Sequence, residues 1–180
     1  MKKTILALAA LALATPAFAQ QTGGTVGIGV SIVPLDTGSF SFPTVEVYVP
    51  IRVAPQLRLE PSFGLQTADR PTGSGQPDTR DFTLGLGVFY VHQLAAPLDL
   101  YAGGRVKLNF AKVESNEAPF ASNTGTDVVL AAALGGEYFF VPKFSLGLEG
   151  QLGYVSRSSA SIDEADGFFT TGLAFLRLYF

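Results

Sequence analysis

The sequence predicts an all-β fold, an eight-stranded antiparallel up-and-down barrel. Three observations predict it. Apolar residues recur at every second position in eight separate segments. Short and long connections alternate between those segments. The mean hydropathy is positive, yet no run beyond the N-terminus is long and continuous enough for a spanning helix. The apolar residues must therefore be spread through short strands.

The first element is a leader. Lys2 and Lys3 precede an apolar run from Ile5 to Ala14, which Thr15 and Pro16 break. Ala17-Phe18-Ala19 supplies a small-x-small cleavage pattern, so residues 1–19 read as a secretory signal peptide cut after Ala19. The run is too short for an anchor, which needs about 20 apolar residues. Residues 20–180 then form one barrel domain.

The strands follow in order, each with one apolar and one mixed face. Val26, Ile28, Val30 and Ile32 oppose Gly27, Gly29 and Ser31. Val45, Val47, Val49, Ile51 and Val53 oppose Glu46, Tyr48, Pro50 and Arg52. Leu57, Leu59, Phe63 and Leu65 oppose Arg58, Glu60, Ser62, Gly64 and Gln66. Phe82 through Tyr90 alternate against Thr83, Gly85, Gly87 and Phe89. Leu98, Leu100, Val106, Leu108 and Phe110 oppose Asp99, Tyr101, Arg105, Lys107 and Asn109. Val128, Leu130, Leu134, Tyr138 and Phe140 oppose Ala131, Ala133, Gly135 and Glu137. Phe144, Leu146, Leu148, Leu152 and Tyr154 oppose Ser145, Gly147, Glu149 and Gln151. Leu176, Leu178 and Phe180 oppose Phe175, Arg177 and Tyr179. A period of two over such lengths argues strands, not helices.

The connections at 54–56, 93–97 and 141–143 are short. Those at 34–42, 67–80, 111–126 and 156–167 are long and rich in turn formers. Short turns at one end and long loops at the other is the layout of outer-membrane barrels. The short turns are then periplasmic and the four loops external, and the strands are expected to project little beyond the membrane.

A soluble sandwich or lipocalin-like barrel would expose the mixed face to water. That face is poorly suited, with many small residues, aromatics such as Phe89, Tyr48 and Tyr101, and few lysines. Its charges balance: Glu46, Glu60, Asp99, Glu137 and Glu149 against Arg52, Arg58, Arg105, Lys107 and Arg177. Balanced charge suits an enclosed interior, where an unpaired ion is costly. A lipid-facing apolar band around that interior accounts for both faces, so the barrel is read as transmembrane. The net negative charge then falls on the loop end, counting Asp81 and Asp127 with the loops. Solvation explains it simply; weak divalent-cation bridging to lipopolysaccharide is the sharper alternative.

The C-terminus, Gly172 to Phe180, ends on an aromatic residue with apolar residues at alternate positions. Leu176, Leu178 and Phe180 look like the strand signal read by the outer-membrane assembly machinery. Gly135-Gly136-Glu137-Tyr138 resembles the sixth strand of small OmpA-like and OmpX-like barrels, where an interior acid follows glycines. The chain thus resembles the small OmpA-like/OmpX-like outer-membrane β-barrel family over its mature length. The resemblance implies an integral outer-membrane protein with a structural envelope role. Outer-membrane lipid and lipopolysaccharide would surround it, and it would be a monomer. OmpA itself continues into a peptidoglycan-binding domain; here only the barrel is matched, so no cell-wall tether is expected.

Within the lumen the charge network is expected to comprise Glu46, Arg52, Arg58, Glu60, Asp99, Tyr101, Arg105, Lys107, Glu137, Glu149 and Arg177. Glu137 is expected near Arg177, and Arg105 across from Glu149. Eight strands enclose a space that side chains nearly fill, so a plug is favoured over a gated narrow pore. Gly27, Gly29, Gly85 and Gly87 are expected to leave room for water. An enzyme is not expected. The chain has one His, His92, placed near a short turn, and no Cys, so no nucleophile–base arrangement, cofactor or metal site is foreseen. The acidic balance disfavours nucleic acid. Among loop aromatics, Phe168 and Phe169 are assigned to the outer girdle, and Phe120 is the candidate for external contact or adhesion. Pro50 and Pro61 interrupt the second and third strands nearly opposite each other, so a bulge or a weak hairpin is expected there.

Overall fold

The computed structural model describes residues 25–35, 45–68, 78–114, 122–158 and 166–180. The described elements are all strands: β1 (Gly27–Leu35), β2 (Val45–Tyr48), β3 (Ile51–Ala54), β4 (Leu57–Ala68), β5 (Asp78–Ala95), β6 (Leu98–Glu114), β7 (Asn123–Val141), β8 (Phe144–Ser156) and β9 (Gly167–Tyr179). Each pairs antiparallel with its neighbours, and β1 pairs with both β2 and β9, which closes the sheet.

Nine strands make eight staves, because β2 and β3 are two halves of one. Both pair with β4, Tyr48 opposite Ser62 before the break and Ile51 opposite Leu59 after it, in one unbroken register. The expected bulge at the prolines is absent. Each proline instead removes one rung from the ladder. Pro50 keeps its carbonyl in use, accepting from Gly27 N at 2.9 Å, and Pro61 accepts from Val49 N at 2.9 Å. The return bonds would need the N–H groups that proline lacks. The irregular registers sit elsewhere, beside the turns at Arg52/Ala54, Gln93/Ala95 and Phe139/Val141, and on β1 between Ile32 and Leu35.

The turns are tight: Pro55-Gln56, Ala96-Pro97 and Pro142-Lys143. The second is shorter than the sequence suggests, since β5 stays paired up to Ala95. The loop end departs further from expectation. β5, β6 and β7 run for 18, 17 and 19 residues. At a rise of about 3.3 Å per residue and a tilt near 45°, such strands climb about 40 Å, well beyond a hydrocarbon core of about 30 Å. The strands therefore do project. Polar rungs such as Arg80 opposite Lys112 and Asp78 opposite Glu114 continue the ladder, because backbone pairing does not need an apolar side chain.

Faces alternate as a pleated stave requires; β8 is inward and outward by turns over all 13 residues. The outward face is apolar and bare, with Leu134 and Leu148 each 67 % exposed. Among the described residues nothing covers that face; a bilayer would.

Candidate functional site

The pleat delivers to the lumen every residue of the sequence-predicted network, at three levels. Nearest the turns, Arg52 Nη2 donates to Asp99 Oδ2 at 3.2 Å. In the middle, three arginines and three glutamates interlock. Glu137 Oε2 accepts from Arg58 Nη1 at 2.7 Å and from Arg177 Nη1 at 2.5 Å. Its Oε1 accepts from the hydroxyls of Ser145 and Tyr179. Glu149 accepts from Arg105 Nε at 2.7 Å, from Tyr101 at 2.8 Å and from Gln151 at 2.6 Å. Glu60 ties the set together, accepting from Arg105 Nη2 at 2.8 Å. Arg58 Nε and Arg177 Nη2 also lie 2.7 Å from its other oxygen. Their N–H bonds are turned off that oxygen, so this contact is Coulombic rather than a hydrogen bond. Higher still, Lys107 Nζ donates to Glu46 Oε1 at 2.5 Å.

Arg58, Arg177, Glu60 and Glu137 are at most 1 % exposed. Ions so deeply desolvated persist only when each is matched. Aromatic rings supply the remaining contacts. The Arg177 guanidinium sits 3.9 Å over Phe175, Arg58 4.4 Å over Tyr101, and Arg105 4.7 Å over Phe89.

Interior glycines seat those rings. Directly across the ladder, Gly27 faces Tyr179, Gly29 faces Tyr48, Gly103 faces Phe89, Gly135 faces Tyr101, Gly147 faces Phe175 and Gly153 faces Phe169. A Cβ at Gly147 would lie 2.0 Å from the Phe175 ring, and one at Gly29 2.5 Å from Tyr48. Gly85 and Gly87 are likewise occupied, by Ser62 and Phe89. The space expected for water at Gly27, Gly29, Gly85 and Gly87 is therefore filled. Alternation reveals which face a glycine is on, but not what its neighbour lays across it.

Two further residues stand where the sequence did not place them. Asp127, counted with the loops, is buried at the loop end of the lumen. It accepts from Ser158 N and Oγ at 2.7 and 2.9 Å and from Asn109 Nδ2 at 3.4 Å. Phe169, assigned to the girdle, points inward and clusters with Val129, Ala131 and Val155; Phe168 alone points out, 79 % exposed. Parity holds the signal for both. Counting back in twos from Arg177 reaches Phe169, and from Ala131 reaches Asp127. On the outer face Phe82 and Phe110 stack at 6.2 Å, and Tyr154 meets Phe168 at 5.2 Å, as an aromatic girdle would. Beyond it Glu114 pairs with Lys112 and, at 3.7 Å, with Arg80. The hydrogen bond and charge of Lys112, then the charge of Arg80, hold the Glu114 carboxyl below the usual carboxylate range. Leu176, Leu178 and Phe180 face outward. His92 is half-buried beside its turn. Phe120 and the leader lie outside the described residues.

Chemically this arrangement neutralises charge and fills space. Its carboxylates are engaged by arginine, lysine or hydroxyl donors. Among the described residues no group of three or more His, Cys, Asp or Glu side chains is gathered as a metal site would need.

Solved barrels share the architecture. Neisserial surface protein A superposes with a TM-score of 0.57 at 17 % identity, over 86 % of this chain and 94 % of that one. Ail, the attachment invasion locus protein of Yersinia pestis, gives 0.52 at 15 %, over 86 % and 93 %. The N-terminal β-barrel domain of Pseudomonas aeruginosa OprF gives 0.52 at 12 %, over 88 % and 99 %. At such identities the likeness is one of fold. No curated protein sequence matches the chain. The family model described as outer membrane protein beta-barrel domain matches residues 5–174. Matched over nearly its whole length, and folded as a closed barrel with a charged lumen and a bare apolar belt, the chain belongs to the outer-membrane β-barrel family and resides in the outer membrane.

Proposed function

We propose that this barrel is a structural component of the envelope with a closed lumen, and that it carries out no catalysis. The observation that supports this reading is the six-charge core of Arg58, Arg105, Arg177, Glu60, Glu137 and Glu149, each at most 5 % exposed. A conducting path would have to part these ions without water to receive them, which is costly in a low-dielectric interior. The core also cross-braces the staves. Glu60 on β4, Glu137 on β7, Glu149 on β8 and Arg177 on β9 are linked through Arg58 and Arg105.

Planar-bilayer conductance of the folded protein tests the reading, with Arg105→Ala and Arg177→Ala alongside. A barrel that inserts and stays silent supports it. Discrete steps in the parent that change with either substitution would replace it with a narrow pore gated by these ions. The same reading makes residues 1–19 a leader removed after Ala19 and the protein a monomer. It makes Leu176, Leu178 and Phe180 the contact for the assembly machinery, their outward exposure leaving them free to be read on the last strand.

A further inference from the structure

On the outer face of the staves, charge is sorted by rung. Thr67, Arg80, Lys112 and Thr124 pair in succession across β4, β5, β6 and β7, so their side chains form one row on that face. The row two residues nearer the membrane centre is Leu65, Phe82, Phe110 and Thr126, in which the two rings stack. The row two residues further out sets Asp78 opposite Glu114. From the apolar belt outward, β5 and β6 therefore carry an aromatic pair, a basic pair and an acidic pair. Among the described residues, Arg80 and Lys112 are the only basic side chains on the outer face of the staves; the other strand cations point into the lumen.

That order is not the order of a self-neutralising rim. Opposite residues on neighbouring strands have Cβ atoms about 4.5–5.5 Å apart, and like charges so placed repel. A rim balanced from within would set acid against base in each row, whereas here each row carries one sign. Glu114 relieves the repulsion only in part. It bonds Lys112, but its contact with Arg80 is 3.7 Å, beyond hydrogen-bond length. An anion lodged between Arg80 and Lys112 would complete the row, and phosphate suits both cations. Depth selects the source of that phosphate. The row lies one step outside the aromatic girdle, at the level of the lipid headgroups. Thr67 and Thr124 put a hydroxyl at each end of the row, which suits a headgroup carrying sugar hydroxyls beside its phosphate.

We infer that Arg80 and Lys112 form a docking site for a phosphate of outer-leaflet lipopolysaccharide, flanked by Thr67 and Thr124 and floored by Phe82 and Phe110. This goes beyond residence in the membrane, because it marks one sector, β4 to β7, for a lipid held by charge rather than by apolar contact alone. It is independent of whether the lumen conducts.

The folded protein is transferred to maltoside micelles, which carry no phosphate, and mixed with phosphorylated lipid A. Native mass spectrometry reads the ratio of lipid-bound to free barrel. The site predicts that Arg80→Gln combined with Lys112→Gln lowers that ratio at least about ten-fold, the scale expected for two cations at a membrane surface. Glu114→Gln removes the competing carboxylate and raises the ratio. Lys143→Gln, in a turn at the opposite end, leaves it unchanged and controls for net charge. Dephosphorylated lipid A binds the parent and the double variant alike, and excess ammonium phosphate does not displace the lipid, whose acyl chains hold it at the belt. Folding is checked by heat-dependent gel mobility, and Lys112→Gln alone serves if the double variant does not fold. Equal binding of phosphorylated lipid A by the parent and the folded variant would overturn the inference. So would a loss of the same size with dephosphorylated lipid A, a comparable fall with Lys143→Gln, or a fall with Glu114→Gln. Displacement by ammonium phosphate would overturn the lipid as the source and leave a general anion site.

Discussion

The two halves of the lumen solve one problem in opposite ways. Toward the turns, the space inside eight staves is filled by matched ions sandwiched between aromatic rings. Toward the loops, it is lined by Val129, Val155 and Phe169 on three staves, with the hydrogen-bonded set Thr83, Asn109 and Asp127 beside them. The lower half is specified by partnership: each ion is tolerable only while its counter-ion is present. The upper half is specified by volume, and the loss of one side chain there leaves a gap rather than a stranded charge. The lower half should therefore be brittle toward single substitutions and the upper half forgiving.

The sharpest way to break that contrast is Glu137→Ala. It removes the partner shared by Arg58 and Arg177 and leaves buried positive charge, so urea titration should show a loss of about 3–5 kcal/mol. A loss below 1 kcal/mol would mean that water reaches the core. Next comes Gly147→Ala, whose methyl would meet the Phe175 ring and the Gly136 carbonyl oxygen, at 2.0 and 2.4 Å. Overpacking of this kind should cost about 1–3 kcal/mol in the same titration, whereas Gly150→Ala, with no atom nearer than 4.0 Å, should cost little. Val155→Ala in the upper half should cost about 1.5–2 kcal/mol, near the transfer value of two carbon groups. A cost matching Glu137→Ala would erase the distinction between the halves.

The smallest effect belongs to the rim. Glu114 has its folded-state pKa depressed, chiefly by Lys112. Its stabilising contribution is therefore present above the unfolded pKa and lost as pH falls through the folded one. The pair is exposed to solvent and screened, so Glu114→Gln should leave the urea midpoint at neutral pH unchanged within error. The parent and the variant should remain indistinguishable in acid, where that contribution is lost. A measurable shift at neutral pH would mean that the projecting β5–β6 ladder is more tightly coupled to the barrel than an exposed rim should be.

These contrasts also mark how far the sequence could be read. The faces of the staves were legible at once, because a period of two needs only local information, and so were the two neighbour assignments Glu137–Arg177 and Arg105–Glu149. Height and reach were less so. The apolar run ends near Phe82 and Phe110, but hydrogen bonding continues to Asp78 and Glu114, since the ladder is built from backbone groups that leave no mark in side-chain hydropathy. Phe169 and Asp127 were misplaced at segment ends, where composition suggested a loop while parity pointed inward. The glycine seats were invisible to alternation, since each belongs to two strands at once and exists only in the correct pairing.

That last property bears on how the staves find their partners. A slip of one residue would turn a strand inside out, and the apolar belt forbids it. A slip of two keeps every face correct, and hydropathy alone would not resist it. The paired glycines do. With such a slip Phe89 would meet Tyr101 or Arg105 instead of Gly103, and Phe175 would meet Ser145 or Glu149 instead of Gly147. The rings act as a checksum on register, read between neighbouring staves and, through Gly27 and Tyr179, at the seam where the first strand meets the last.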